Sequence, residues 1–214
     1  LFLLMMLWRL HRLLSLSITP DPALVEMFNN MVDEMFDYGR FILNKKKDKP
    51  EDDLLSAIAN AQIDGEDLSQ EFLDGSWLLI IFAGNDTTRN TMSGGIKLLH
   101  ENPKQKQLVL DDFERVTGLI NETVRYVSPV IHMRRTSLEE TLIGEQRIGP
   151  YEKIALWYGA ANRDPEIFES PDEFNILREN ADQHLAFGIG RHTCLGKPVA
   201  LMQLREFYSQ FLSR

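Results

Sequence analysis

Residues 187–196 read Phe187-Gly188-Ile189-Gly190-Arg191-His192-Thr193-Cys194-Leu195-Gly196, or "FGIGRHTCLG", and contain the only cysteine of the chain. A lone cysteine is most often a small buried hydrophobe. This one follows Arg191 and His192, and a helical pattern from Lys197 to Leu212 begins just after it. Cationic side chains and a helix N-terminus both stabilise negative charge on a nearby sulfur. Gly188, Gly190 and Gly196 permit a tight backbone and the close approach of something flat or bulky. Other site types fit the stretch less well. Thr193 stands where a dinucleotide fingerprint needs its last glycine, and no strand–helix–strand unit surrounds it. Zinc would have to use His184, His192 and Cys194, without a second ligand pair at zinc spacing. A nucleophilic Cys194 would take His192 as its base, but no third, orienting group is evident.

Outward from this loop, the chain has 214 residues, 43% hydrophobic and 26% charged, a composition that reads as soluble and globular. Its net charge of −9 argues against a general nucleic-acid footprint, and no nucleic-acid partner is expected. A single cysteine rules out an internal disulfide and fits a reducing compartment, so a cytoplasmic location is expected. The opening "LFLLMMLWRLHRLL" is apolar for eight residues before Arg9. That is too short to span a bilayer and lacks the cationic lead of a signal peptide, so no membrane association is expected. The chain opens on Leu1 and is expected to be a piece of a longer reading frame.

The periodicity predicts a mainly α protein with a small β element. Residues 1–18 read as a helix within an uncertain segment, 1–20. Asp21 and Pro22 signal the start of a helix to about Asn44, followed by the charged linker "NKKKDKPEDD". After the short helix "LLSAIANA" and the turn "QIDGED", one helix is predicted over 69–100, roughly 45 Å long. Its middle, "WLLIIFAG", is apolar on every face and should be buried all round. A short helix near 104–110 and another over "FERVTGLINETVRYV" follow, the latter stopped at Ser128-Pro129. Short strands are expected from there to Trp157, then a Pro-rich loop, then the cysteine loop and the last helix.

The decapeptide resembles the haem-binding signature of the cytochromes P450, in a form common in soluble bacterial members. The resemblance implies the C-terminal part of that fold, spread over 1–214 as a partial domain, with a long central helix and a haem-binding loop at 184–196. It implies haem b with Cys194 as the axial thiolate, which favours O–O cleavage. Phe187, Gly188 and Gly196 would line the ring, and Arg135 and His192 would face its propionates. "AGNDTT", 83–88, matches the family's oxygen-activation motif. Ala83 and Gly84 would leave room for a diatomic ligand, and Asp86 and Thr87 would relay protons. "ETVR" matches the Glu-x-x-Arg pair, so Glu122 and Arg125 would form a buried ion pair joined by Arg178. The family often has aspartate at Asn175.

The implied activity is hydroxylation of an apolar substrate (an alkane, fatty acid, terpenoid or sterol). It would use O2 and NAD(P)H-derived electrons delivered by a ferredoxin-type partner. A complete member is about twice this length, so these residues alone are expected not to turn over. The alternative reading is a truncated, non-catalytic haem-binding or structural fragment.

Overall fold

The computed structural model describes residues 21–213, and the helix read over 1–18 lies outside them. The chain forms two compact units that meet in sequence between Phe82 and Ala83.

The first unit begins with α1, Pro22–Asp48, capped by the Asp21 carboxylate on the Ala23 amide. It continues through α2, Leu54–Ala59, and a hairpin of β1, Gln62–Ile63, and β2, Glu66–Asp67. Asp64 and Gly65 both have positive φ, as the "DG" of a two-residue hairpin turn requires. The last helix of the unit, α3, runs Gln70–Ala83. Leu43, Ala59 and Trp77 form its small core, and the Trp77 indole donates to the Met35 carbonyl at 3.1 Å. The charged stretch expected as a linker is helical in its first half: α1 continues through Lys45, Lys46 and Lys47, whose charge suits a helix C-terminus.

The second unit contains α4, Asp86–Glu101; α5, Pro103–Asp111; and α6, Val116–Val127. Strand β3, His132–Thr136, pairs antiparallel with β6, Lys153–Trp157; between them β4, Thr141–Ile143, and β5, Gln146–Ile148, form a hairpin. The short helix α7, Tyr158–Ala161, leads into the Pro-rich loop, and α8, Lys197–Leu212, ends the unit. Its core joins Leu98 and Leu99 of α4, Val109 of α5, Leu119 and Val124 of α6, and Leu204 and Tyr208 of α8.

Two further expectations change. The single helix over 69–100 is two helices, interrupted at Gly84 and Asn85. The Thr87 hydroxyl donates to the Ala83 carbonyl at 3.1 Å, satisfying a group that a continuous helix would pair through the backbone. Glycine makes departure from helical geometry inexpensive there. The apolar run before the break is also not buried all round: Trp77 is 6% exposed, but Leu79 is 67% and Phe82 49% exposed.

Helix α8 docks on α4 at a glycine. A Cβ placed on Gly95 would lie 1.7 Å from the Tyr208 hydroxyl. That hydroxyl and Thr123 Oγ1 are buried without a hydrogen bond of good geometry among the described residues. Burial pushes the Tyr208 phenol up to about 12, a shift Thr123 only partly opposes. Gly95→Ala, usually favourable in a helix, should here cost about 1–3 kcal/mol through overpacking. Adding Tyr208→Phe should recover part of the loss, because the ring carbon Cζ would still sit 2.9 Å away. Denaturation midpoints of the two single variants and the double variant check this. A Gly95→Ala protein as stable as its parent would contradict the packing.

Candidate functional site

The cysteine loop is closed by its own backbone. Gly188 and Gly190 have φ of +69° and +64°, values that favour glycine. A Cβ on Gly188 would also lie 2.7 Å from the His192 carbonyl oxygen. The Gly188 amide donates to the Leu185 carbonyl and the Cys194 amide to the Phe187 carbonyl, both at 2.8 Å. The Thr193 hydroxyl donates to the Gly190 carbonyl at 2.9 Å. Cys194 is thereby held on the surface as a free thiol, two residues before the Gly196 cap of α8. The Lys197 ammonium lies 5.5 Å from the centre of the Phe187 ring.

These features fit the haem that the resemblance implies. One soft sulfur ligand stands exposed between a glycine-shaped turn and a helix N-terminus. Ile189 and Leu195, 72% and 77% exposed, flank it with apolar surface. The zinc alternative is not assembled: among the described residues no three His, Cys, Asp or Glu side chains gather into a metal cluster. His184 is buried, whereas His192 and Cys194 are exposed.

Helix α6 carries a fully buried charged pair, Glu122 and Arg125. The Arg125 guanidinium donates twice to Glu122 at 2.8 Å, and both side chains have zero exposure. Arg178 joins Glu122 at 3.2 Å. Helix α6 makes the first pair because residues three apart share a face. The carbonyl partners were not legible in the sequence. Arg125 also donates to the carbonyls of Asn162 at 2.6 Å, Pro171 at 2.9 Å and Glu173 at 3.3 Å. Arg178 donates to the carbonyls of Ser170 and Glu173, each at 3.1 Å. The signal available was the Pro-rich loop, whose carbonyls, lacking regular structure, must find partners elsewhere. Asn175 serves through its backbone, its amide donating to Glu122 at 2.9 Å, while its side chain accepts from the Leu177 amide at 3.0 Å. Asparagine meets both requirements as aspartate would.

The remaining candidates are dispersed over the unit. Ala83 and Gly84 stand exposed at the helix interruption. Asp86, in the first turn of α4, accepts from Asn90 at 3.2 Å, and Thr87 is half-buried. Arg135 is half-buried on β3 opposite Ile154 and donates to the Arg134 carbonyl at 3.0 Å. No hydrogen bond among the described residues joins these groups to Cys194. A cleft of about 750 Å³ is bounded by Gly84 and Thr88 near the start of α4 and by Met202 and Phe207 of α8. Cys194, Arg135 and His192 do not line it.

His184, ten residues before the cysteine, figures in the sequence only as a ligand of the disfavoured zinc site. Its imidazole lies tilted over Phe187 at 5.5 Å, and Nδ1 accepts from the Ala186 amide at 3.2 Å. Burial, with smaller help from Lys197 and Arg125, lowers its pKa to about 4. The unfolded chain, with a histidine near 6.5, therefore binds more protons between pH 4 and 6.5. Stability contributed by neutral His184 is full above about 6.5 and lost as the pH falls toward 4, on the order of 3 kcal/mol in all. Urea midpoints across this window should fall with acid, and His184→Gln should flatten the slope. An equal slope in both proteins would exclude His184 as the cause.

Comparison with known proteins is in keeping with this geometry. The sequence model of the family described as Cytochrome P450 matches residues 3–214. Putative cytochrome P450 126 of Mycobacterium tuberculosis is 41% identical over 183 residues, covering 84% of this chain and 44% of that protein. Linalool 8-monooxygenase of Pseudomonas putida is 35% identical over 181 residues, 85% of this chain and 44% of the relative. The crystal structure of CYP109E1 from Bacillus megaterium with corticosterone superposes with a TM-score of 0.82 at 31% identity. It covers 92% of this chain and 53% of the other. The chain thus spans about half the length of these relatives.

Proposed function

This chain belongs to the cytochrome P450 family, and from that premise we propose that it carries the thiolate-bearing portion of a haem monooxygenase acting on an apolar substrate. The observation that carries this reading is the closed loop that presents the exposed Cys194 sulfur beside a helix N-terminus. Cys194 would hold haem b through its sulfur, with Phe187, Gly188 and Gly196 beside it and Arg135 and His192 toward the propionates. When bound, the haem would supply O2 activation with two electrons derived from NAD(P)H through a ferredoxin-type donor. The chain's own part would be to exclude water and to move protons at Thr87 Oγ1 and the Asp86 carboxylate. The half-buried Thr87 beside the helix interruption supports that role, because its hydroxyl is held by the Ala83 carbonyl. Relatives named for linalool and solved with corticosterone support an apolar substrate of the alkane, fatty acid, terpenoid or sterol class. Among the described residues no helix is long and apolar enough to cross a membrane. A cytoplasmic location belongs to the same proposal.

A second reading, haem binding without turnover, is favoured by the exposure of Cys194, Ile189 and Leu195, since water at an open site quenches reactive oxygen chemistry. Both are tested by assaying this chain, and a fusion supplying the N-terminal half of a relative, with haem, a surrogate ferredoxin system and 18O2. The fusion should place one 18O atom in an alkane, fatty acid, terpenoid or steroid. Thr87→Ala should lower product per NAD(P)H roughly 100-fold and release hydrogen peroxide instead. A haem-loaded fusion that oxidises none of these would overturn the monooxygenase reading and leave the second. Unchanged coupling in Thr87→Ala would remove the proton-relay role.

A further inference from the structure

Asn162 follows α7 and is completely buried, and every polar atom it has is engaged. Its carbonyl accepts from Arg125 at 2.6 Å. Its Nδ2 donates to Ser128 Oγ at 2.8 Å, and that hydroxyl in turn donates to the Arg125 carbonyl at 2.8 Å. Its Oδ1 accepts from the Leu185 amide at 2.6 Å. The orientation of the side-chain amide is determined by its partners. An N–H at Leu185 demands an oxygen, and a serine hydroxyl already donating elsewhere demands a donor. From Leu185 the bonds continue into the loop: its carbonyl accepts from Gly188, and the Phe187 carbonyl accepts from Cys194. Ser128 sits in the left-handed region, φ 44°, where α6 ends, so a strained residue is held by the same cluster.

We infer that Asn162 is the positioning residue for the cysteine loop, coupling the buried Glu122–Arg125 pair to the stretch that sets the Cys194 sulfur. It touches neither Cys194 nor any group that would react. It acts through Leu185, and through the backbone bonds that follow, on where the Phe187 carbonyl anchors the cysteine amide. Asparagine suits the position because it offers one acceptor and two donors on a short, neutral side chain. Serine is too short to span both partners. Aspartate keeps the acceptor for Leu185 but loses the donor to Ser128, whose one hydroxyl proton already goes to the Arg125 carbonyl.

The functional weight of this inference rests on the haem-thiolate reading, but its test does not need haem. Cys194 is the only thiol, so alkylation by a maleimide reports this loop and nothing else. Hydrogen exchange of the peptide covering 185–194 gives a second measure. In Asn162→Ser, exchange at 185–188 should rise about tenfold, the factor for losing one buried hydrogen bond, and the alkylation rate of the exposed Cys194 should change in the same variant. Asn162→Asp should accelerate exchange less than Asn162→Ser, because it keeps the acceptor for Leu185. Gly95→Ala, destabilised elsewhere in the unit, serves as the control for general loosening. Loop exchange in Asn162→Ser no faster than in Gly95→Ala would overturn the inference, as would equal acceleration in the serine and aspartate variants. Absence of a haem-thiolate spectrum in the unsubstituted chain would strike only the haem reading and leave this result standing.

Discussion

Arg125→Ala is expected to unfold the second unit or leave it marginal, at a loss of about 3–5 kcal/mol. Arg125 has zero exposure and five hydrogen bonds: two to Glu122 and three to the carbonyls of Asn162, Pro171 and Glu173. Removing it strands the buried Glu122 carboxylate with Arg178 as its remaining cation, at 3.2 Å. It also orphans the Asn162 and Pro171 carbonyls and leaves the Glu173 carbonyl to Arg178 alone. Domains are stable by only about 5–15 kcal/mol, so a loss of this size consumes much of the margin. Lysine is a poor substitute, because one ammonium cannot reproduce the planar fork that reaches four residues at once. Circular dichroism and solubility of Arg125→Ala and Arg125→Lys measure the effect. A cooperatively folded Arg125→Ala protein within 1 kcal/mol of its parent would mean the pair is no more than a surface bridge, whose usual worth is about 0–1 kcal/mol.

The cysteine loop was legible because everything it needs is local. Its glycines, its closing hydrogen bonds and the helix that follows lie within about ten residues of Cys194. The Glu122–Arg125 pair was legible for the same reason, being one helical step apart. The surroundings of that pair were not, because its carbonyl partners lie 37 to 48 residues away and belong to backbone, which carries no residue signature. The role of Asn162 was not legible, because it depends on Ser128 and Leu185, 34 and 23 residues distant. The interruption at Gly84 was missed because an isolated glycine in a helical pattern is ordinarily tolerated. The Thr87 hydroxyl that replaces a backbone bond leaves the hydrophobic period unchanged. The exposed Leu79 was missed because an all-round apolar segment says that cover is needed but does not say what provides it.

Cys194→Ala carries the largest effect of all, since it removes the only thiolate the chain can offer iron. Nitrogen ligands such as His192 would remain nearby, so haem could still associate; the identity of the ligand, rather than retention of haem, decides the matter. The direct measurement is the visible spectrum of the haem-supplied chain, reduced and exposed to carbon monoxide. The unsubstituted protein should show the strongly red-shifted Soret band that a thiolate ligand confers, and Cys194→Ala should lack it at equal haem content. The same red-shifted band in the alanine variant, or none in the unsubstituted protein once haem is bound, would contradict thiolate ligation by Cys194.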